Sequence, residues 1–220
     1  MGGLLSRLTP NRSAIAPMVN IDITHLIVLD FEANCSKDGA KDHEVCEFPA
    51  VLMDADTGKE FDYFRVFIKC VRQPKISQFT TELTGITDDD IAGGVEWIEA
   101  LNLFDMWCDK NNITPENSMV VTCGDWDLKT MYPRQCRITE SEQYVPNRVR
   151  RLFSKWVNVK AVYANHRQLS KQLDMAAMLN DIGLQLDGRH HSGIDDCRNI
   201  GKICKHLIEN HEKDVLRPFL

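Results

Sequence analysis

The stretch from His25 to Glu32 reads His-Leu-Ile-Val-Leu-Asp-Phe-Glu, an unbroken apolar run closed by two acids. A run this short and this apolar suits a strand covered on both faces, so the chain needs a sheet with structure above and below it. Residues two apart on a strand share a face, and the carboxylates of Asp30 and Glu32 therefore project together from its C-terminal end. Ligands of open α/β sheets bind at that end. Two carboxylates so close repel each other, and a divalent cation with hard oxygen ligands is the common remedy. A lone Asp-x-Glu is weak evidence, since one acid can cap a loop while the other faces water.

The rest of the chain supplies the sheet. Cys46–Asp54 and Phe61–Cys70 are further strand candidates, and Asp56-Thr-Gly-Lys59 between them has the chemistry of a hairpin turn. Ser77–Gly85 predicts a short helix with a glycine stop. Val95, Ile98, Leu101, Phe104 and Cys108 recur at helical spacing and predict a longer helix over Gly94–Lys110. Ser118–Cys123 and Trp156–Val159 read as strands, Leu173–Leu184 and Ile194–Glu209 as helices. Strands first, then helices alternating with strands, predict one α/β (α+β) domain: a mixed sheet with helices on both faces.

With 220 residues and no internal repeat, one domain over 23–215 accounts for the chain. No apolar run approaches the roughly 18 residues that a membrane span needs. The eight cysteines never form a C-x-x-C pair and mostly sit in apolar stretches. Reduced, buried thiols in an intracellular protein, cytoplasmic or nuclear, are therefore expected rather than disulfides or zinc. Residues 1–22 read as a flexible lead-in. Met1–Ser6 fits the loose N-myristoylation pattern, and Arg7 and Arg12, with no acid before Asp22, faintly suit an organellar transit segment.

Further acids close later elements. Gly124-Asp125-Trp126-Asp127 follows the Ser118 strand and offers two candidates. Gly188-Arg-His-His191-Ser-Gly-Ile-Asp195-Asp196 leads into the last helix. At about 100° per residue from Ile194, the apolar positions of that helix fall between about 180° and 320°. Asp196, at about 200°, lies inside this arc, whereas Asp195, at about 100°, lies outside it. A carboxylate on a buried face costs free energy unless it is paired, so Asp196 is the acid that calls for a partner. Histidine can take a proton from water near neutral pH, and both His190 and His191 stand beside this acid.

Taken in order, Asp30-x-Glu32, Asp127 after a later strand, and His191 four residues before Asp196 resemble the DEDDh 3′→5′ exonuclease superfamily. Its enhanced-RNAi and histone-mRNA 3′-end exoribonuclease branch is the nearer likeness. It is carried further by Asp30-Phe-Glu-Ala-Asn-Cys35, Glu47-Phe-Pro49, Leu83-Thr-Gly-Ile86, Trp126-Asp127, Gln135-Cys136, Lys155-Trp-Val-Asn158 and Gly188-Arg189. The match runs from about Ile23 to Asn210. The resemblance implies a ribonuclease H-like fold and two magnesium ions, replaceable by manganese, on Asp30, Glu32, Asp127 and Asp196. It also implies His191 as general base, with Glu32 beside it in catalysis, and a nucleotide site at Phe31, Ala33, Leu83, Trp126 and His191, where Trp126 stacks on the 3′-terminal base. The implied activity is release of 5′-nucleoside monophosphates from single-stranded or overhanging RNA 3′ ends.

Three positions depart from the branch's usual pattern: Asn34, Cys123-Gly124-Asp125 and His190. None removes a required functional group. No N-terminal nucleic-acid-binding module of the kind some members carry is recognisable, so a stem-loop-specific substrate is not expected. The competing readings are a DNA-preferring exonuclease and a non-catalytic nucleic-acid-binding adaptor on the same fold.

A net charge of −6 sits oddly with a polyanionic substrate. Its distribution is uneven, because Lys129–Lys171 holds ten basic residues against Glu140 and Glu142, a local +8 that leaves −14 elsewhere. Tyr132, Tyr144, Phe153, Trp156 and Tyr163 are interleaved. Basic groups among aromatics suit a single-strand groove, and Arg148, Arg150, Arg151 and Lys155 are the expected contacts to the RNA backbone. The alternative is a solvated charged surface.

Overall fold

The computed structural model describes residues 23–36 and 43–210. The lead-in, its myristoylation and transit patterns, and the last residues of the 23–215 domain lie outside the described residues.

The apolar run folds as β1 (His25–Leu29), and after a break at Asp30-Phe31 the chain continues as β2 (Glu32–Asn34). Both strands pair antiparallel with one edge of a long β3 (Glu44–Asp54): β1 along Ala50–Asp54 and β2 along Glu44–Glu47. Pro49, with no N–H to give to a ladder, falls in the gap between them. β4 (Glu60–Phe67) takes the other edge of β3, completing the expected hairpin. Its turn is fixed by the Asp54 carboxylate, which accepts the N–H groups of Asp56 at 3.1 Å and Thr57 at 2.7 Å.

On the far side of β1 lies β5 (Ser118–Thr122), paired parallel, and beyond it β6 (Trp156–Asn158), also parallel. The carboxyl ends of β1, β5 and β6 therefore open on one edge of the sheet.

Along the chain, α1 (Gln78–Thr84), α2 (Asp88–Ala92) and α3 (Trp97–Lys110) lie between β4 and β5. Ser77 caps α1 at its start, and Gly85 closes it at φ 83°, a left-handed conformation that glycine adopts without steric cost. After β5 come a six-residue π-helix (Trp126–Met131), α4 (Tyr132–Ile138) and α5 (Asn147–Leu152). After β6 come α6 (Val159–His166), α7 (Met175–Asp181) and α8 (Gly193–Asn210).

Strand alternation divides the core in two. Ile27 and Leu29 face a layer with Trp97, Leu101, Phe104, Val149 and Phe153, contributed by α3, α5 and the residue closing α5. Leu26 and Val28 face Val162, Met178, Ile200, Ile203 and Cys204 from α6, α7 and α8. The expected three-layer domain is thus present. The eight cysteines are free, and six of them are buried.

Phe48 is central to the first layer: it is fully buried and its ring lies 4.9–6.1 Å from those of Phe31, Phe64, Trp97, Phe104 and Phe153. Phe48→Ala is expected to lower unfolding stability by about 3–5 kcal/mol, read from the denaturant midpoint.

Candidate active site

Each expected ligand reaches the carboxyl edge by a different route. Asp30 sits in the break after β1. Glu32 opens β2 and is only 8% exposed. Asp127 is the second residue of the π-helix and 3% exposed; its Oδ1 accepts the Phe31 N–H at 2.9 Å, which ties the segment after β5 to the break after β1. Asp196 lies in the first turn of α8, on its buried face as the helical angles require, and is 3% exposed.

Asp195 is instead partly exposed and accepts the Arg189 N–H at 3.0 Å, so its task is to hold the incoming loop. The choice between Asp125 and Asp127 is equally clear. Asp125 is exposed and accepts from Trp156 Nε1 at 3.1 Å and Asn158 Nδ2 at 3.2 Å.

Close approach of α8 to the strands depends on Gly193. A Cβ there would stand 2.7 Å from Pro49 Cγ, 3.1 Å from the Asp30 carbonyl and 3.2 Å from Glu32 Cγ. Asp30, Glu32 and Asp196 each bring a carboxylate oxygen within 4.8 Å of the others.

Such crowding disfavours the charged forms. Burial, followed by the charges of Asp127, Glu32 and Asp196, lifts Asp30 well above the usual carboxylate range, with Lys160 opposing. Burial and then the Glu47 charge push Glu32 up to about 9. Asp127 and Asp196 are also raised, chiefly by burial, against the lowering effect of the Phe31 and His191 N–H groups respectively. Asp196 Oδ1 is buried without a hydrogen-bond partner. Crowded hard-oxygen donors with an orphaned buried oxygen fit divalent cations.

His191 enters this cluster by its backbone, its N–H donating to Asp196 Oδ2 at 2.8 Å, and adopts φ 67°. A left-handed conformation is uncommon for a residue with a side chain, and here it turns the loop so that the imidazole adjoins Asp196. His190 is exposed and stacks on His191, ring centroids 3.9 Å apart. Burial, then the charges of His190 and Arg189, hold His191 below the ordinary histidine range. Its imidazole is therefore neutral, and able to accept a proton, near neutral pH.

Motifs far apart in sequence meet here. Arg189 Nη2 donates to the Glu82 carbonyl at 2.7 Å, which joins the histidine loop to the end of α1 where Leu83 lies half-buried. Asn34 is fully buried and braces the segment before α1: its Nδ2 donates to the Lys75 carbonyl at 2.9 Å and its Oδ1 accepts the Ser77 N–H at 3.0 Å. Trp126 is 41% exposed beside the cluster, its ring 6.3 Å from that of His43. Ala33 follows Glu32 in β2 and is buried.

Two sets of expected contacts are placed as follows. Strand alternation turns the Phe31 ring into the core against Phe48 and Trp97, and its N–H is taken by Asp127. The three arginines expected on the RNA backbone have partners elsewhere in the fold. Arg148 pairs with Asp105 and Asp109, and Arg151 with Glu116, two residues ahead of β5 at the opposite end of that strand from Asp127. Arg150 donates to the Glu142 carbonyl. Phe153 and Tyr163 are buried in the two core layers.

Lys155 is exposed at the start of β6. The cation whose charge acts on Asp30 and Asp127 is Lys160, near the start of α6, which the sequence reading counted but did not single out. Its signal was available, since it follows the carboxyl end of the third parallel strand. Glu47 was named only within its motif, and Arg65 was not singled out.

Four acidic side chains and a histidine thus gather at the carboxyl edge of a mixed sheet, a donor set suited to divalent cations. The chain belongs to the exonuclease family, because the family model described as "Exonuclease" (RNase T) matches residues 27–204. ERI1 exoribonuclease 3 of Homo sapiens is 37% identical over 185 residues, covering 83% of this chain and 53% of the relative. ERI1 exoribonuclease 2 of Xenopus laevis is 32% identical over 202 residues, covering 84% of this chain and 28% of the relative. The chain thus spans about half the length of the human relative.

Among solved structures, the nuclease domain of 3′hExo, a DEDDh family member bound to rAMP, superposes with a TM-score of 0.79 at 27% identity, covering 86% of this chain and 94% of the other. A 3′-exonuclease described in 3′-end recognition of the histone mRNA stem-loop gives 0.80 at 26%, covering 86% and 84%. The fold is the ribonuclease H-like fold of DEDDh exonucleases, a class that works with divalent metal ions. Among the described residues no helix is long and apolar enough to cross a membrane.

The raised Glu32 carboxyl fixes a sign. A group whose pKa is higher folded than unfolded favours the folded state below its unfolded value and loses that contribution as pH rises through the folded one. In chelator, the melting temperature is expected to fall between about pH 5 and about pH 9, the interval set by the 4.5 and 9 of Glu32. Glu32→Gln should flatten the fall in thermal melts, and divalent metal should reverse it in the wild type.

Proposed function

We propose that the chain is a 3′→5′ exoribonuclease domain that releases 5′-nucleoside monophosphates one at a time. The observation that supports this most directly is the convergence of Asp30, Glu32, Asp127 and Asp196 on one edge, with His191 hydrogen-bonded to the last of them. The names of the relatives, exoribonucleases in each case, support RNA as the polymer.

The four carboxylates would hold two magnesium ions, with manganese as a substitute. Bound there, the ions supply Lewis acidity that polarises water and neutralises charge on the scissile phosphate. His191, neutral at working pH, takes a proton from the water attacking phosphorus. The bond from phosphorus to the 3′-oxygen of the preceding nucleotide breaks in line, leaving a 5′-phosphate on the product and a new 3′-hydroxyl on the shortened strand.

Trp126, exposed beside the cluster, offers a face for the terminal base, and such stacking contributes about 1–3 kcal/mol with little base preference. Ala33, which follows Glu32, and Leu83, at the end of α1 beside the histidine loop, would contribute the rest of the nucleotide site. Lys160 balances part of the cluster's charge, and exposed Lys155 is the member of the basic stretch kept as a backbone contact. Free, single-stranded 3′ ends suit a site whose stacking face and ligands lie so close together.

His191→Ala is expected to lower turnover by about 10²- to 10⁴-fold, and Asp196→Ala to abolish it, in assays that identify the mononucleotides released from one 3′-overhang sequence made as RNA and as DNA. Preference for DNA would correct the substrate. No release from either polymer by wild type would favour the adaptor reading. Arg148→Ala with Arg151→Ala should leave the salt dependence of RNA binding unchanged, because both side chains are already paired with acids.

A further inference from the structure

Glu47, in the Glu47-Phe-Pro49 segment of β3, is fully buried, yet it is not one of the four ligands. One oxygen accepts from Arg65 Nε at 2.5 Å, and Arg65 reaches it from the neighbouring strand β4. The other oxygen, Oε2, is buried without a hydrogen-bond partner. In register across the ladder stands Glu32 of β2, itself buried. The Gly193 N–H, at the start of α8, adds a contact to the same carboxylate.

Two residues on, and on the same face of β3, Pro49 provides the surface that a Cβ at Gly193 would strike, and its carbonyl lies 3.8 Å from Cys197 Sγ. Glu47 and Pro49 therefore form the seat on which the first turn of α8, with Asp196, meets Glu32. For packing alone this is a poor arrangement. A buried carboxylate satisfied on one side and faced by a second one costs free energy, and an apolar pair of similar volume would serve better. The arrangement becomes favourable once positive charge enters from the side of the ligands.

We propose that Glu47, paired with Arg65, is a positioning residue of the metal site, supplying the negative charge and the Glu32-to-α8 spacing on which divalent-cation affinity depends. The inference rests on the metal-dependent reading above and goes beyond its four ligands. Arg65 keeps the charge in place from outside, and phosphate chemistry needs no contact with Glu47 itself.

The test is thermal stabilisation of the full chain by Mn2+, alongside melting in chelator. Glu47→Gln preserves shape and removes the charge. It should raise the Mn2+ concentration for half-maximal stabilisation by about 10-fold or more, the usual loss when an outer partner of a metal ligand is changed. Its melting temperature in chelator should equal or exceed that of wild type. Arg65→Gln removes the partner that keeps Glu47 ionised; it should lower the chelator melting temperature and raise the Mn2+ midpoint by less than Glu47→Gln does.

A Glu47→Gln protein with an unchanged Mn2+ midpoint would overturn the proposal. So would one that melts lower in chelator or fails to fold, since either outcome makes the pair a structural bridge. Equal weakening of Mn2+ binding by both variants would overturn it too. Wild type that Mn2+ does not stabilise would count against the metal-dependent reading itself, a separate result.

Discussion

Mutual repulsion among buried carboxylates is the constraint around which this molecule is built. Asp30, Glu32, Asp127 and Asp196 would separate if their backbones allowed it, so each is carried by an element that cannot yield. β1 is covered by both core layers and flanked by β3 and β5. The π-helix is hooked to the end of β1 by the Phe31 N–H. α8 is pressed into place by eighteen residues of helix whose inward face is apolar. The large hydrophobic layers thus supply the restraining force for a site that works against the fold, a common relation between stability and activity.

Much of the fold was legible in the sequence because the main elements are long or strongly apolar. The β1 run, the hairpin, α3 and α8 all fell close to their expected places. The segment from Trp126 to Leu152 was not read, and the reason is physical. It is made of a π-helix, a seven-residue helix and a six-residue helix, each too short to show a periodic pattern. What holds them is remote: buried Gln135, for example, accepts the Val45 N–H of β3 at 2.9 Å, beside the bulge where β2 joins. β2 and α2, of three and five residues, escaped for the same reason.

Within the site, local geometry sufficed for Asp196, because the angle around one helix separates it from Asp195. It could not separate Asp127 from Asp125, since what decides there is that Trp156 and Asn158 reach across to occupy Asp125. Strand alternation already pointed the Phe31 ring away from the two acids beside it, and the ring packs on Phe48 and Trp97. The basic stretch shows the limit of counting charge along a chain. Three of its six arginines, Arg148, Arg151 and Arg167, are paired with Asp105, Asp109, Glu116 and Asp181, none of which lies inside the stretch.

The π-helix has one more consequence. Its wide first turn sets neighbouring residues to opposite ends of the polarity scale: Trp126 out in solvent, Asp127 sealed beneath it. A base seated on the indole, as proposed above, would lie one residue away from a carboxylate that the Phe31 N–H holds to the end of β1.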